Sequence, residues 1–219
     1  MHHTTKGLLI TFEGTEGSGK STLIRAVASA LSQLDQPTLQ TREPGGSGVA
    51  EKIRSILLQM EMNPWTELLL YEASRAEHLA QTIRPALERG EIVLCDRYTD
   101  STLAYQAHAR GLPWPKVKAL NQLATSGLKP HLTVLLDIDP EFGLKRAKDP
   151  NRFEAEGVNF QKRVRLGFLK ARAEDSKRWL TLKVKKQTPE ELAQSVVNHL
   201  RLKYGKRFLN SSRNVRSSA

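Results

Sequence analysis

Between Gly14 and Ser21 the chain reads Gly-Thr-Glu-Gly-Ser-Gly-Lys-Ser, which satisfies G-x-x-x-x-G-K-[ST] at every fixed position. Glycines at this spacing let backbone N–H groups close around phosphate oxygens, and a helix starting at the end of the run adds partial positive charge. The Lys20 ammonium can then reach the β- and γ-phosphates of a bound triphosphate, and the Ser21 hydroxyl can ligate Mg²⁺. Gly14, Thr15, Glu16, Gly17, Ser18 and Gly19, with Thr22 just beyond, complete the expected phosphate cradle. The pattern predicts a triphosphate user without naming the reaction. No N-K-x-D guanine signature accompanies it, and 219 residues is short for a motor or transporter ATPase. A transferase would need a second, acceptor site.

Three further segments can supply one. Arg42-Glu43-Pro44-Gly45-Gly46 follows a second expected strand, Asp96-Arg97-Tyr98 follows a third, and Ser101-Thr102-Leu103-Ala104-Tyr105-Gln106 comes directly after. Arg75 stands four residues after Tyr71, on the same face of a helical stretch. Taken in order with Gly143-Leu144-Lys145-Arg146-Ala147, from about Leu9 to Arg172, these stretches make the chain resemble the bacterial thymidylate kinases. The resemblance implies a P-loop fold that passes the γ-phosphate of ATP to thymidine monophosphate, for deoxythymidine triphosphate synthesis.

The resemblance also implies roles. Arg54 and Arg97 would bind the acceptor phosphate, which suits a guanidinium because its planar fork donates two parallel bonds and stays charged. Tyr71 would stack on thymine, where many relatives carry Phe. Arg75 would donate to the thymine carbonyl edge, with Thr102 and Gln106 reading the base further. Tyr105 would crowd the sugar 2′ position, and Glu16 would hold the acceptor's 3′-hydroxyl. Asp96 would order Mg²⁺ with Ser21, and Glu43 could join that network. Asp137, after a strand, stands at a Walker B-like position, as a participant or as a cap.

Transfer of a phosphoryl group is mainly a matter of positioning and of neutralising charge. Some thymidylate kinases carry an arginine in the phosphate loop directly after the acidic residue; here that position is Gly17. Relatives with this glycine place the cation in a mobile lid. The segment Lys148-Asp149-Pro150-Asn151-Arg152-Phe153-Glu154 resembles that lid, with Asn151 replacing Asp, so Arg152 is expected to close over the γ-phosphate. Arg146 would face the adenine or the phosphates. The chain departs from the family most after about Asp175, where Lys185-Lys186-Gln187-Thr188 fills the loop after the last strand.

These groups need elements to hold them. Short apolar runs at Leu8–Phe12, Ile92–Cys95 and His131–Asp137, with further strands at Thr38–Thr41 and Trp179–Val184, predict a five-stranded parallel sheet covered on both faces. Helical patterns alternate with them, at about Lys20–Leu34, Val49–Met60, Pro64–Glu88, Ser101–His108, Pro115–Thr125, Glu141–Lys148, Phe160–Lys177 and Pro189–Leu202. Pro85 is expected to kink the end of the third helix and Gly90 to close it. The implied architecture is α/β: a P-loop NTPase three-layer fold, with a five-stranded parallel sheet flanked by helices and a mobile lid. Each motif then falls at the carboxyl edge of the sheet, where such folds bind ligands. One domain is expected over residues 1–209, with the lid at about 148–157.

Composition agrees with a soluble cytoplasmic enzyme. Apolar and charged fractions of 39% and 26% are ordinary, and the run Leu132–Leu136 is far too short to span a bilayer. The lone Cys95, within an apolar strand, excludes an internal disulfide framework. Net charge is +11, and from Arg201 onward there are six Lys/Arg and no Asp or Glu. That basic stretch is expected to be disordered over 210–219. Aromatic residues there are few, so neither a nucleic-acid nor a membrane partner is expected. A deoxynucleoside kinase would find Arg54 and the R-E-P-G-G turn superfluous, and a nucleic-acid-dependent ATPase should show a strand-tracking groove. ATP and Mg²⁺ are the expected cofactors. The apolar face of the Pro64–Glu88 helix permits the homodimer common in the family.

Overall fold

The computed structural model describes residues 6–146 and 155–211. Strands β1 (Leu8–Glu13), β2 (Thr38–Arg42), β3 (Ile92–Asp96), β4 (Leu132–Asp137) and β5 (Trp179–Lys183) form one sheet in the order β2-β3-β1-β4-β5. Every pairing is parallel, and β1 sits between β3 and β4 with Ile10 opposite Leu94 on one side and Leu132 on the other. Both faces of β1 are covered, which is why its sequence is apolar without alternation. Leu8, Ile10 and Phe12 pack on α1 (Lys20–Ser32) through Leu23, Val27 and Leu31. Leu9, on the opposite face, packs with Leu79, Ile83 and Leu87.

The helices α2 (Gly48–Gln59), α3 (Pro64–His78), α4 (Arg84–Glu88), α5 (Thr99–Thr102), α6 (Trp114–Thr125), α7 (Pro140–Arg146), α8 (Gly157–Glu174) and α9 (Pro189–Ser211) fill the connections. α3 has a clear local start: Asn63 accepts the Trp65 N–H at 2.9 Å, and Pro64 occupies the first turn, where its missing N–H costs nothing. Just before the proline expected to kink it, the hydrogen-bond pattern changes. The chain passes from α3 into a π-helical turn, Leu79–Ile83, in which the Arg84 N–H reaches back to Leu79 O, and then into α4. The widened turn carries Pro85 past its usual clash without ending the helix. A second π-helical stretch, Leu103–Ala109, follows α5 and carries Tyr105 and Gln106. Gly167 of α8 lies so close that a Cβ there would sit 2.7 Å from Ala104 Cα.

The last helix is longer than its sequence pattern suggests, continuing past Leu202 to Ser211 across a kink at Tyr204 (φ −128°, ψ 19°). The Tyr204 hydroxyl donates to His131 O at 2.7 Å and ties the kink to the start of β4. Its start is a capping box: Thr188 N donates to Glu191, and Glu191 N to the Thr188 hydroxyl. The divergent loop after β5 thus ends as a helix start. The carboxyl ends of β1, β2 and β3 converge on one edge, each handing the chain to a motif of the cleft.

Candidate active site

A cleft of about 780 Å³ opens at that edge, lined by residues 16–22 on one wall and by Tyr71, Arg75, Thr102, Tyr105 and Gln106 on the other. This volume suits small-molecule ligands. In the phosphate loop Gly17 has φ +67°, a conformation strained for any residue with a Cβ. A Cβ there would also lie 1.9 Å from Gly143 O, so α7 rests directly on the loop. Lys20 is buried and its ammonium donates to Gly14 O (3.3 Å), Thr15 O (3.2 Å) and Ser18 Oγ (3.4 Å). Burial, followed by the nearby Arg97, pulls its pKa down, while Asp96 and Glu16 oppose the shift. Thr15 is buried and Thr22 is exposed at the start of α1.

At the mouth of the loop the Ser21 hydroxyl donates to Asp96 Oδ2 at 2.9 Å. Asp96 Oδ1 is buried with no hydrogen-bond partner among the described residues. A hydroxyl beside an acceptor-only carboxylate with an unsatisfied oxygen is a donor set suited to a hard, hydrated cation such as Mg²⁺. Glu43 is not part of this pair. Its Oε2 accepts from Arg75 Nε at 2.8 Å and its Oε1 lies 3.2 Å from His78 Nδ1, all three groups being buried. Both of its oxygens are engaged by side chains of α3 in the wall that holds Arg75.

Arg97 joins the two halves of the cleft. It donates to Gly14 O (3.1 Å), Ser101 Oγ (3.2 Å), Glu16 Oε1 (2.6 Å) and Tyr105 Oη (3.0 Å). Its backbone is left-handed, φ 70°, unusual for an arginine. Glu13, which sequence reasoning passed over, holds this turn: it accepts the Tyr98 N–H at 2.9 Å and the Ser101 hydroxyl at 2.6 Å. Burial, then the charge of Asp100, raises the Glu13 pKa to about 8. Asp100 in turn is clamped by Arg178 with two contacts of 2.7 Å. Glu16 behaves oppositely. Burial alone would raise its pKa, but Arg97 and Lys20 outweigh it and hold the carboxylate ionised.

Arg54 is half-buried and donates to Pro44 O at 2.8 Å, bringing the α2 guanidinium beside the R-E-P-G-G turn. Burial, then neighbouring Arg42, lowers its pKa. Arg42 is paired with Glu51, whereas Arg54 donates to a neutral carbonyl, so the Arg54 charge is available to an anion in the cleft. Tyr71, half-buried, lines the same wall with Leu58. Behind it Arg75 is almost fully buried, with Glu43 on Nε, Glu72 (2.9 Å) and Asn121 (2.8 Å) on Nη1, and Tyr98 O (3.2 Å) on Nη2. Thr102 lies beside Asn121, and the Gln106 amide donates to Glu67 at 2.8 Å. Glu67 also accepts from Arg110 at 2.7 Å. Glu13, Glu67, Glu72 and Asn121 carry no local motif, so only their three-dimensional partners reveal them.

On the donor side Lys145 and Arg146 of α7 line the cleft, and Arg146 lies 5.7 Å from the Phe142 ring centroid. Asp137 accepts two bonds from Arg165 of α8, at 2.6 and 3.0 Å, so its carboxylate braces a helix. Arg152, the expected lid cation, lies outside the described residues.

The geometry can be compared with known proteins. The family model described as thymidylate kinase matches residues 12–196. A thymidylate kinase of Syntrophotalea carbinolica is 51% identical over 172 residues, covering 73% of this chain and 80% of the relative. One from Geotalea uraniireducens is 47% identical over 188 residues, covering 80% and 88%. The crystal structure of thymidylate kinase from Ehrlichia chaffeensis superposes with a TM-score of 0.75 at 30% identity, over 89% of this chain and 98% of that one. With a phosphate loop, an acceptor wall and these relatives along most of its length, the chain belongs to the thymidylate kinase family.

Proposed function

We propose that the groups described above divide the work of one phosphoryl transfer, from ATP to thymidine monophosphate, giving thymidine diphosphate and ADP. The observation that carries this division is Arg97, which touches both the phosphate loop at Gly14 and the acceptor wall at Tyr105. Lys20 and the loop N–H groups hold the donor phosphates, and Arg97 with Arg54 holds the acceptor phosphate. An acceptor phosphate oxygen then forms its bond to the γ-phosphorus as the bridge to the β-phosphate breaks. Preorganised cations across that line stabilise the charge without reorganising.

Glu16, kept ionised beside Arg97, accepts from the sugar 3′-hydroxyl. Tyr105 supports it through a 2.9 Å bond and limits space at the sugar. Tyr71 stacks on the base, while Arg75, Thr102 and Gln106 read its edge. Ser21 and Asp96 would hold Mg²⁺, which supplies charge neutralisation at the phosphates. Arg152 supplies the lid cation and Arg146 lies against the donor nucleotide.

We place the chain in the cytoplasm as a homodimer, acting as one domain over 1–209 with a lid at about 148–157. Cys95 is buried with its thiol pushed up by burial, and no described helix is long and apolar enough to cross a membrane. Val49, Ile56, Met60 and Leu69, from α2 to α3, are large apolar residues at the surface, which supports self-association.

A coupled ADP-release assay with ATP and Mg²⁺ tests the reading. ADP should form with thymidine monophosphate and not with thymidine or single-stranded DNA. Stimulation by thymidine or DNA alone would leave the phosphate loop standing and overturn the acceptor wall.

A further inference from the structure

Asn121 lies on α6, outside every motif of the cleft, and is 5% exposed. Its Oδ1 accepts from Arg75 Nη1 and from Thr102 Oγ1, each at 2.8 Å, and its Nδ2 donates to Thr99 O at 3.2 Å. The three contacts fix which end of the amide faces which neighbour. They also fix the neighbours. Arg75 has five N–H groups. Hydrogen bonds to Glu43, Asn121 and Tyr98 O commit three, and Glu72 lies 2.9 Å from Nη1 as an ion pair, which leaves one N–H of Nη2 without a partner among the described residues. Thr102 has a single hydroxyl proton, and both of its close partners, Thr99 O at 2.9 Å and Asn121 Oδ1, are acceptors. That proton is held inward, so toward a ligand Thr102 can only accept.

Arg75 therefore offers a donor and Thr102 an acceptor. A pyrimidine with a 4-carbonyl and an N3–H matches this polarity at both atoms. A 4-aminopyrimidine, with an amino group and a bare N3, opposes it at both. We propose that Asn121 is a positioning residue that sets this polarity, and so makes the enzyme select thymine and uracil over cytosine. The proposal rests on the reading that Arg75 and Thr102 face the acceptor base.

The test compares kcat/KM for thymidine, deoxyuridine and deoxycytidine monophosphates in the wild type, Asn121→Leu and Asn121→Asp. Leucine is close in size and removes the shared acceptor; aspartate keeps an acceptor oxygen. In Asn121→Leu the preference for thymidine over deoxycytidine monophosphate should fall by roughly 10-fold or more, because the polar readers lose their orientation. The preference over deoxyuridine monophosphate, which shares the same edge, should hold within about twofold, as should the KM for ATP. Asn121→Asp should restore the discrimination. Uniform loss for all three acceptors, or an Asp variant no better than Leu, would overturn the proposal. If Asn121→Leu does not fold by circular dichroism, Asn121→Ala is read by the same two ratios. A wild type that fails on thymidine monophosphate would sink the acceptor reading itself, which is a separate result.

Discussion

Arg97 Nη2 lies 2.6 Å from Glu16 Oε1, a bond that joins the carboxyl end of β3 to the phosphate loop after β1. Both side chains are about one-sixth exposed, so the pair is neither a surface ion pair nor a sealed one. A surface pair would be worth little. Here each charge is needed by the other in a cleft that also holds Lys20, and neither carries an apolar alternative. The pair stores two opposite charges where a phosphate and a hydroxyl are to be received.

Removing one partner should reveal that dependence. Arg97→Lys keeps the charge but loses the planar fork, and kcat/KM for thymidine monophosphate should fall about 100-fold or more. Glu16→Gln should fall less. The double variant should lose less than the product of the two, with a coupling of about 1–3 kcal/mol. Steady-state kinetics on the four proteins checks this; strictly multiplicative losses would mean that the pair does not act as a unit.

Glu13 gives a pH signature. Its folded pKa of about 8 lies far above the ordinary carboxyl value of 4.5, because burial and Asp100 disfavour the anion. Between those values the folded state binds more protons than the unfolded state, so stability from this group falls as pH rises. The contribution is complete below about pH 4.5 and lost on passing pH 8. Glu13→Gln cannot titrate. In urea denaturation at pH 5, 6, 7 and 8, wild-type stability minus variant stability should decline steadily. A constant difference would place the Glu13 pKa outside this window.

Self-association has a direct check. Leu69 is 53% exposed on α3, and Met60, at the end of α2, is 57% exposed. Leu69→Glu places a charge in that strip without touching the cleft. Light scattering should show a dimer for the wild type and a monomer for the variant, with the melting curve of the monomer little changed. A wild-type monomer would remove the apolar strip as an interface.

Much of this was legible in the sequence, for identifiable reasons. β1, β3 and β4 are buried along nearly their whole length, so their apolar runs mark them directly, whereas the edge strand β2 is partly exposed and mostly polar; the phosphate loop is a local pattern of eight residues. What resisted reading depends on distant partners. Glu43 sits in a motif, but its role comes from Arg75 and His78, 32 and 35 residues away. Asn121 and Glu67 read as ordinary helix residues until α3, α6 and the π-helical turn are brought together. Pro85 signals a break, and only the widened turn before it shows how the helix survives. The kink of α9 falls at Tyr204, whose bond to His131 no periodicity encodes.

Gly17 bears on where the transferring charge is neutralised. A side chain there would meet Gly143 O at 1.9 Å, and a side chain at position 143 would in turn meet Glu16 O at 2.5 Å. The loop and α7 are thus fitted to each other without side chains, and α7 carries Lys145 and Arg146 at the cleft. An arginine at position 17 would displace α7 as well as strain a backbone at φ +67°. Arg152→Ala should lower kcat at saturating substrates by roughly 10³-fold or more, the scale of a lost cation at the transferring group. Gly17→Arg should not restore it, and alone should reduce activity. Rescue of Arg152→Ala by Gly17→Arg would show that loop and lid positions are interchangeable here, and would make the Gly17–Gly143 contact incidental.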